Sequence, residues 1–282
     1  MLNLSGGCVC CSFGSDLVGV LGSLVRRLPR PEHVLIETSG VALPEGVGQA
    51  VGLVGGLVLD AVIVVIDAAT VRQRAADRYV GDTVTAQLAQ ADLIVVNKLD
   101  LVAAGFCKDL TTWLQGQAPA ARVAHACQGE VPVELILGSS GSQARDSRVP
   151  VRAASLSKAR SAKAPLAENE CAQATGGQHL RRILPPAADR FTSITFRFSE
   201  PVDMARLATE LADPVLGILR SKGLMRDNDG TPTSFQQVGS RTQTCNLAYP
   251  DPDCGRLVCI GLRDSLDEAA IGLRLQAALL PA

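Results

Sequence analysis

The chain has 282 residues, 47% of them hydrophobic and 3% aromatic, with a formal net charge of -1. That length suits about two domains with largely aliphatic cores, and the near-neutral charge argues against a nucleic-acid partner held by bulk electrostatics. Nine cysteines, an odd number and mostly scattered, suit a reducing compartment better than a disulfide framework.

The first stretch, "LSGGCVCC", places Cys8, Cys10 and Cys11 within four positions. No basic residue precedes the first apolar run, so no secretory leader is expected. Three soft thiolates suit zinc or copper(I) and disfavour magnesium. A metal site, an oxidation-sensing thiol cluster and simple burial are all compatible with the spacing. A helix is expected over 15–28, because Leu17, Val20, Leu21, Leu24, Val25 and Leu28 recur at helical spacing. Ser15 or Asp16 can cap it, and Arg26 and Arg27 would sit in its last turn. Pro29 and Pro31 then stop it.

"HVLIET", "AVIVVI" and "DLIVVN" are short apolar runs that read as buried strands. The stretch "VGQAVGLVGGLVLDAVIVVIDAA" is not a membrane span: glycines break its first half and Asp60 splits it. Between the second and third strands, "DTVTAQLAQAD" reads as a helix with Val84, Leu88 and Ala91 on one side. Strands alternating with helices predict a parallel α/β sheet with helices on both faces. Residues 139–189 are rich in Ser, Ala, Arg and Lys without apolar period, and predict a flexible linker or insertion. Beyond it, "SITFRF" alternates Ile194, Phe196 and Phe198 inward with Thr195 and Arg197 outward. "DMARLATEL" is a short amphipathic helix, "RLVCIGL" a strand, and "SLDE" (residues 265–268) a capping box. Arg220 and Lys222 beside Gly223 read equally as a phosphate or partner contact and as a surface pair at a turn. Cys245, Cys254 and Cys259 have no close histidine and make a weak metal candidate.

In a parallel sheet, ligands bind at the carboxyl ends of the strands. Those ends carry Glu37-Thr38-Ser39-Gly40, Asp67 and Asn97-Lys98-Leu99-Asp100. An Asp carboxylate accepts a pair of hydrogen bonds from guanine's ring N–H and exocyclic amine, which adenine does not offer. The Asn amide can bridge neighbouring loops, and a Lys stem can lie across the base. The bland reading of "NKLDL" is a polar strand end and helix cap. Glu37 can hold magnesium through water or orient an attacking water, and Gly40 lets a backbone N–H approach a terminal phosphate; the bland reading of that stretch is the start of a turn.

The order "GGCVCC", "VLIETSGVALP", "DAVIVVIDA", "ADLIVVNKLDL" resembles the CobW family of GTPases, which includes metal chaperones and metal-insertion proteins. "ITFRFSEPVDMARLATELADPVLGILRSKGLM" and "GRLVCIGLRDSLDEAAI" resemble that family's C-terminal domain. The resemblance implies a metal site at Cys8, Cys10 and Cys11 for zinc, or cobalt or nickel. It implies a nucleotide switch with Glu37 and Gly40 in catalytic roles, and guanine recognition by Asn97, Lys98 and Asp100, with GTP and Mg2+ as cofactors. It also implies a cytoplasmic protein whose partners are guanine nucleotide and a metal-recipient protein, with neither nucleic acid nor membrane. The expected fold is a truncated P-loop NTPase-like sheet plus a small α+β C-terminal domain, divided as 1–138, a linker at 139–189, and 190–282.

Three departures stand against the family pattern. The phosphate loop, Gly-x-x-x-x-Gly-Lys-Thr/Ser, does not occur in the chain, and an incomplete gene model is the expectation. Leu43 stands where the family has Asp, and the linker holds His179 and Cys171 rather than a histidine-rich tract. The expected function is a GTP-dependent metal chaperone. The alternatives are a metal- or partner-binding relative without GTPase activity and, further off, a thiol redox protein.

Overall fold

The computed structural model describes residues 13–103, 105–138, 190–247 and 254–280, with side chains from Asp16 onward. Cys8, Cys10, Cys11 and the expected linker at 139–189 lie outside the described residues.

The first half runs α1 (Phe13–Val25), α2 (Pro44–Gly52), β1 (Ile63–Asp67), α3 (Val71–Ala75), α4 (Gly81–Ala89), β2 (Leu93–Asn97), α5 (Phe106–Gln117), β3 (Arg122–His125) and α6 (Val133–Leu137). The three strands form a parallel sheet in the order β1-β2-β3, with Ile63 opposite Leu93 and Leu93 opposite Arg122. β2 is apolar on both faces because both are covered. Ile94 and Val96 pack on Leu88 of α4 and Leu110 and Leu114 of α5. Leu93 and Val95 face the other way, toward Leu135 of α6 and the second half of the molecule. Val84, Leu88 and Ala91 share the helical side, as their spacing predicts.

The second half runs β4 (Phe191–Arg197), α7 (Met204–Leu211), β5 (Ile218–Arg226), β6 (Pro232–Val238), β7 (Arg241–Asn246), β8 (Arg256–Leu262) and α8 (Glu268–Ala278). Its five strands form an antiparallel sheet in the order β4-β8-β5-β6-β7. Leu257 and Cys259 of β8 face α7 and α8, while Val258 and Ile260 face the parallel sheet. Burial with no charged neighbour pushes the Cys259 thiol up to about 12, so it stays protonated and inert. The molecule thus stacks as helices, parallel sheet, antiparallel sheet, helices, and the two sheets share one apolar cluster. Burying a leucine fully in such a layer is worth about 2 kcal/mol.

Charge stitches the same seam. Both acids come from the first half and both partner arginines from the second. Arg241 Nε lies 2.6 Å from Asp92 Oδ2, which also accepts from Val62 N at 2.8 Å. Arg220, 1% exposed, pairs with Asp60 and donates to Ile136 O at 3.1 Å. Arg190 donates to the carbonyls of His125 and Glu130, and Arg122 to that of Ala212.

Several expectations need correction. The run at 33–38 forms no strand. Val34 and Ile36 pack on the cluster between α1 and α2, but no described neighbour offers the backbone a ladder, so Leu35 and Glu37 are exposed. α1 ends at Val25, so Arg26 and Arg27 fall beyond its last turn. Arg220 and Lys222 are not at a turn: they lie inside the nine-residue β5. Thr195 is buried rather than outward, on the same parity as Phe191, because that face of β4 turns toward the parallel sheet. α8 is capped by Asp267, which accepts from Ala270 N at 3.0 Å, and Ser265 belongs to the preceding turn. The helix at 204–211 does start as expected, with Asp203 accepting from Arg206 N at 2.9 Å.

Candidate functional site

The carboxyl ends of the three parallel strands are tied together by a small set of bonds. Asp67 and Asn97 end β1 and β2 directly opposite one another. Ala68 N donates to Asn97 O at 3.0 Å, and Ala126 N donates to Val96 O at 2.8 Å. The Asn97 side chain reaches sideways: its Oδ1 accepts from Gly129 N at 2.9 Å. That bond fixes the Cys127-Gln128-Gly129 loop after β3, where Gln128 and Gly129 both have positive φ, at 51° and 75°. Asn97 therefore ties two loops, the one after β1 through its backbone carbonyl and the one after β3 through its side-chain oxygen.

Lys98 adopts the left-handed conformation at φ 61°. A side chain pays about 1 kcal/mol or more for that geometry, and a non-glycine there is a candidate functional position. The kink turns Lys98 back over β1, where its Nζ sits 2.8 Å from Asp67 Oδ2. The Lys98 ammonium, donating to this carboxylate, holds Asp67 below the usual carboxylate range. Asp67 also accepts from Ala69 N at 2.9 Å, which starts the turn into α3.

Asp100 lies on the short 3-10 turn Leu99–Leu101, with Leu99 buried beneath it as the anchor. The carboxylate is part-exposed beside Cys127. Burial pushes the Cys127 thiol up, and the neighbouring Asp100 charge acts in the same direction. Asn97, Lys98 and Asp100 are thus brought to one end of the sheet.

The other candidate stretch meets them from the side. Residues Ser39–Ala42 form a turn, with Ala42 N donating to Ser39 O at 3.0 Å. Gly40 and Asp67 line one open groove of about 150 Å3, together with Thr70, Arg74 and Gln87. Glu37 is exposed and does not line that groove. Leu43, the departure from the acidic residue, stands at the N-cap of α2 and makes no side-chain cap bond. Cys8, Cys10 and Cys11 lie outside the described residues, and among the described residues no cluster of His, Cys, Asp or Glu is arranged to hold a metal. Among them, too, no helix is long and apolar enough to cross a membrane.

Two parts of this end escape a reading of the sequence. β3 is four residues with two apolar ones, "RVAH", too short for periodicity to register. Gln87 looks like a surface position on an amphipathic helix, yet its Nε2 donates to Gly40 O at 3.1 Å and Ala42 O at 2.8 Å. The signal available for β3 was the Gly-containing loop that follows it; for Gln87 there was none.

Models of two known domains match the two halves of the chain. The model of the CobW/HypB/UreG nucleotide-binding domain matches residues 1–125, and that of the cobalamin synthesis protein cobW C-terminal domain matches 191–279. A zinc chaperone CobW from Sinorhizobium sp is 28% identical over an alignment of 314 positions, covering 98% of this chain and 80% of that protein. A zinc chaperone CobW from Pseudomonas aeruginosa is 31% identical over 161 residues, 49% of this chain and 43% of the relative. A zinc-regulated GTPase metalloprotein activator 1 from Schizosaccharomyces pombe is 31% identical over 103 residues, 35% of this chain and 25% of the relative. The chain therefore spans less than half the length of the latter two. Both sheets of the molecule are matched by models of one family, in the same order along the chain, and the protein belongs to the CobW family.

Proposed function

We propose that this chain handles a metal ion, zinc first, under the control of a guanine nucleotide. In this reading Cys8, Cys10 and Cys11 hold the ion as cargo through thiolates and leave a fourth position open for transfer. Cobalt and nickel satisfy similar donors. Asn97, Lys98 and Asp100 read the base, and Glu37 and Gly40 respond to the terminal phosphate. A metal-recipient protein is the second partner. The functional units are 1–138 and 190–282, joined by 139–189.

The observation that carries the reading is the convergence of Asn97, Lys98 and Asp100 at the carboxyl end of a parallel sheet. Asn97 is already bonded across to the loop that would form the far wall of a base site. The acceptor present fits the base. Asp100 is a carboxylate that is part-exposed at the rim, and its oxygens can accept from guanine's paired N–H groups. For the phosphates the chain supplies Gly40 and no Gly-Lys pair. A bound nucleotide with Mg2+ would supply the energy difference between two switch states; the chain's own residues position the base and present the Gly40 turn. The relatives' names, zinc chaperone and zinc-regulated GTPase metalloprotein activator, support the metal and the nucleotide together.

A second reading is favoured by Leu43, which cannot coordinate an ion: metal or partner binding without hydrolysis. Two titrations decide. Asp100→Ala is expected to weaken GDP binding about 100-fold, since a charged acceptor with two hydrogen bonds is worth about 2–3 kcal/mol. Equal GDP affinity in wild type and variant removes Asp100 from the site, and a wild type that binds no guanine nucleotide leaves the second reading. Replacing Cys8, Cys10 and Cys11 by Ser should abolish stoichiometric zinc binding; unchanged stoichiometry would end the thiolate assignment.

A further inference from the structure

Helix α4 ends with two glutamines three residues apart, Gln87 in its last turn and Gln90 at its C-cap, which project from the same side. Both reach the stretch that follows Glu37. Gln87 spends both amide hydrogens on one turn, donating to Gly40 O at 3.1 Å and Ala42 O at 2.8 Å. Gln90 Oε1 accepts from Glu45 N at 2.9 Å, in the first turn of α2. That N–H is one of those a helix start leaves unsatisfied, and the N-cap residue normally accepts it. Here the N-cap is Leu43, whose side chain has no acceptor. The cap is thus supplied from a different helix.

The two bonds do different work on the same segment. Gln87 fixes the carbonyl side of the Ser39–Ala42 turn. With the Gly40 carbonyl held, rotation of the Gly40–Val41 peptide is restrained, and the Gly40 N–H is left to meet a ligand in the groove that Gly40 and Gln87 both line. Gln90 anchors the far end of the segment at α2. α4 itself is rigidly seated: Leu88, between the two glutamines, is 0% exposed in the core beneath β2. β2 leads directly into Asn97-Lys98-Asp100. One helix therefore connects the base end of the site with the Gly40 turn.

We propose that Gln87 is a positioning residue for the Gly40 turn, and Gln90 its auxiliary anchor, so that α4 sets how the turn presents itself to a terminal phosphate. This deepens the guanine-nucleotide reading above and rests on it. The donor requirement makes it testable. Gln87→Glu keeps size and shape but has no hydrogen to donate, whereas Gln87→Lys restores donors.

The test uses the full chain and two measurements. In hydrogen–deuterium exchange, Gln87→Glu should speed exchange of the backbone across 39–46 at least tenfold, with β2 and β8 protected as in wild type. Gln87→Lys should restore slow exchange. In binding, Gln87→Glu should keep wild-type GDP affinity while losing the difference between GDP and a non-hydrolysable GTP analogue. Unchanged exchange in Gln87→Glu overturns the clamp itself. Faster exchange with an undiminished GDP–GTP difference overturns the positioning role and leaves a merely structural bond. A wild type that binds neither nucleotide defeats the nucleotide reading, and with it the positioning role, while the exchange result separately records whether the clamp exists.

Discussion

Replacing Asp60 with alanine should destabilise the folded chain by about 3 kcal/mol, read as a lower midpoint in urea unfolding. The reason is what the substitution leaves behind. Arg220 is 1% exposed, and Asp60 is its charge partner across the seam. Its other contacts, Ile136 O at 3.1 Å and Gln236 Oε1 at 3.4 Å, are neutral acceptors. An orphaned buried guanidinium typically costs about 3–5 kcal/mol; the lower end applies because Asp60 keeps about a third of its side chain in water. The control is the double variant with Arg220→Met, which removes the cation and keeps the stem's volume. It should be markedly more stable than Asp60→Ala alone. If the single variant unfolds at the wild-type midpoint, or the double variant is worse than the single, the pair does not hold the sheets together.

Gly239→Ala should be at least as damaging, by about 3 kcal/mol or more, through geometry rather than charge. Gly239 has φ 58°, in the left-handed region, between β6 and β7. A Cβ there would lie 2.6 Å from Asp92 O and 3.0 Å from Ala120 O, both backbone atoms of the opposite half. Asp92 O cannot retreat freely, because it accepts from Arg122 N at 3.0 Å at the start of β3. The methyl group therefore adds left-handed strain of about 1 kcal/mol or more to a clash that must push the two sheets apart. The expected signature is a lower melting temperature with faster amide exchange on the Leu93 and Val95 side of β2. A Gly239→Ala variant with wild-type melting would mean that the seam has slack the distances do not suggest.

These two positions also mark where sequence reading runs out. The strand ends are legible because chemistry and pattern coincide there. A run such as Leu93–Val96 has to be buried on both sides, and the polar residues that follow have to emerge at its carboxyl end. Asn97, Lys98 and Asp100 are found together for that reason, and α4, α7 and β8 follow from their apolar periods. The run at 33–38 reads as a strand by the same logic, yet a strand needs a partner backbone as well as an apolar composition, and periodicity carries no information about the partner. Arg220 and Lys222 look like surface cations because charge is normally solvated. Only the packing of two sheets reveals that β5 is covered on both faces and that Arg220 must reach through to Asp60. Gln87 and Gln90 are the hardest case. A glutamine on an amphipathic helix is the least informative residue there is, and its meaning depends on a loop more than forty positions earlier.

The seam has one more implication, for the stretch at 139–189. The chain leaves the first half at Gly138, beside Arg220, and re-enters at Arg190, whose guanidinium rests on the carbonyls of His125 and Glu130. Departure and return are thus both pinned by the body of the molecule, and the intervening residues need not set the relative placement of the sheets. The entropy of closing a loop grows only with the logarithm of its length, by about 0.6 kcal/mol for each doubling. A reporter grafted between Gly138 and Arg190 should therefore leave the body of the protein intact, read as an unchanged midpoint in urea unfolding.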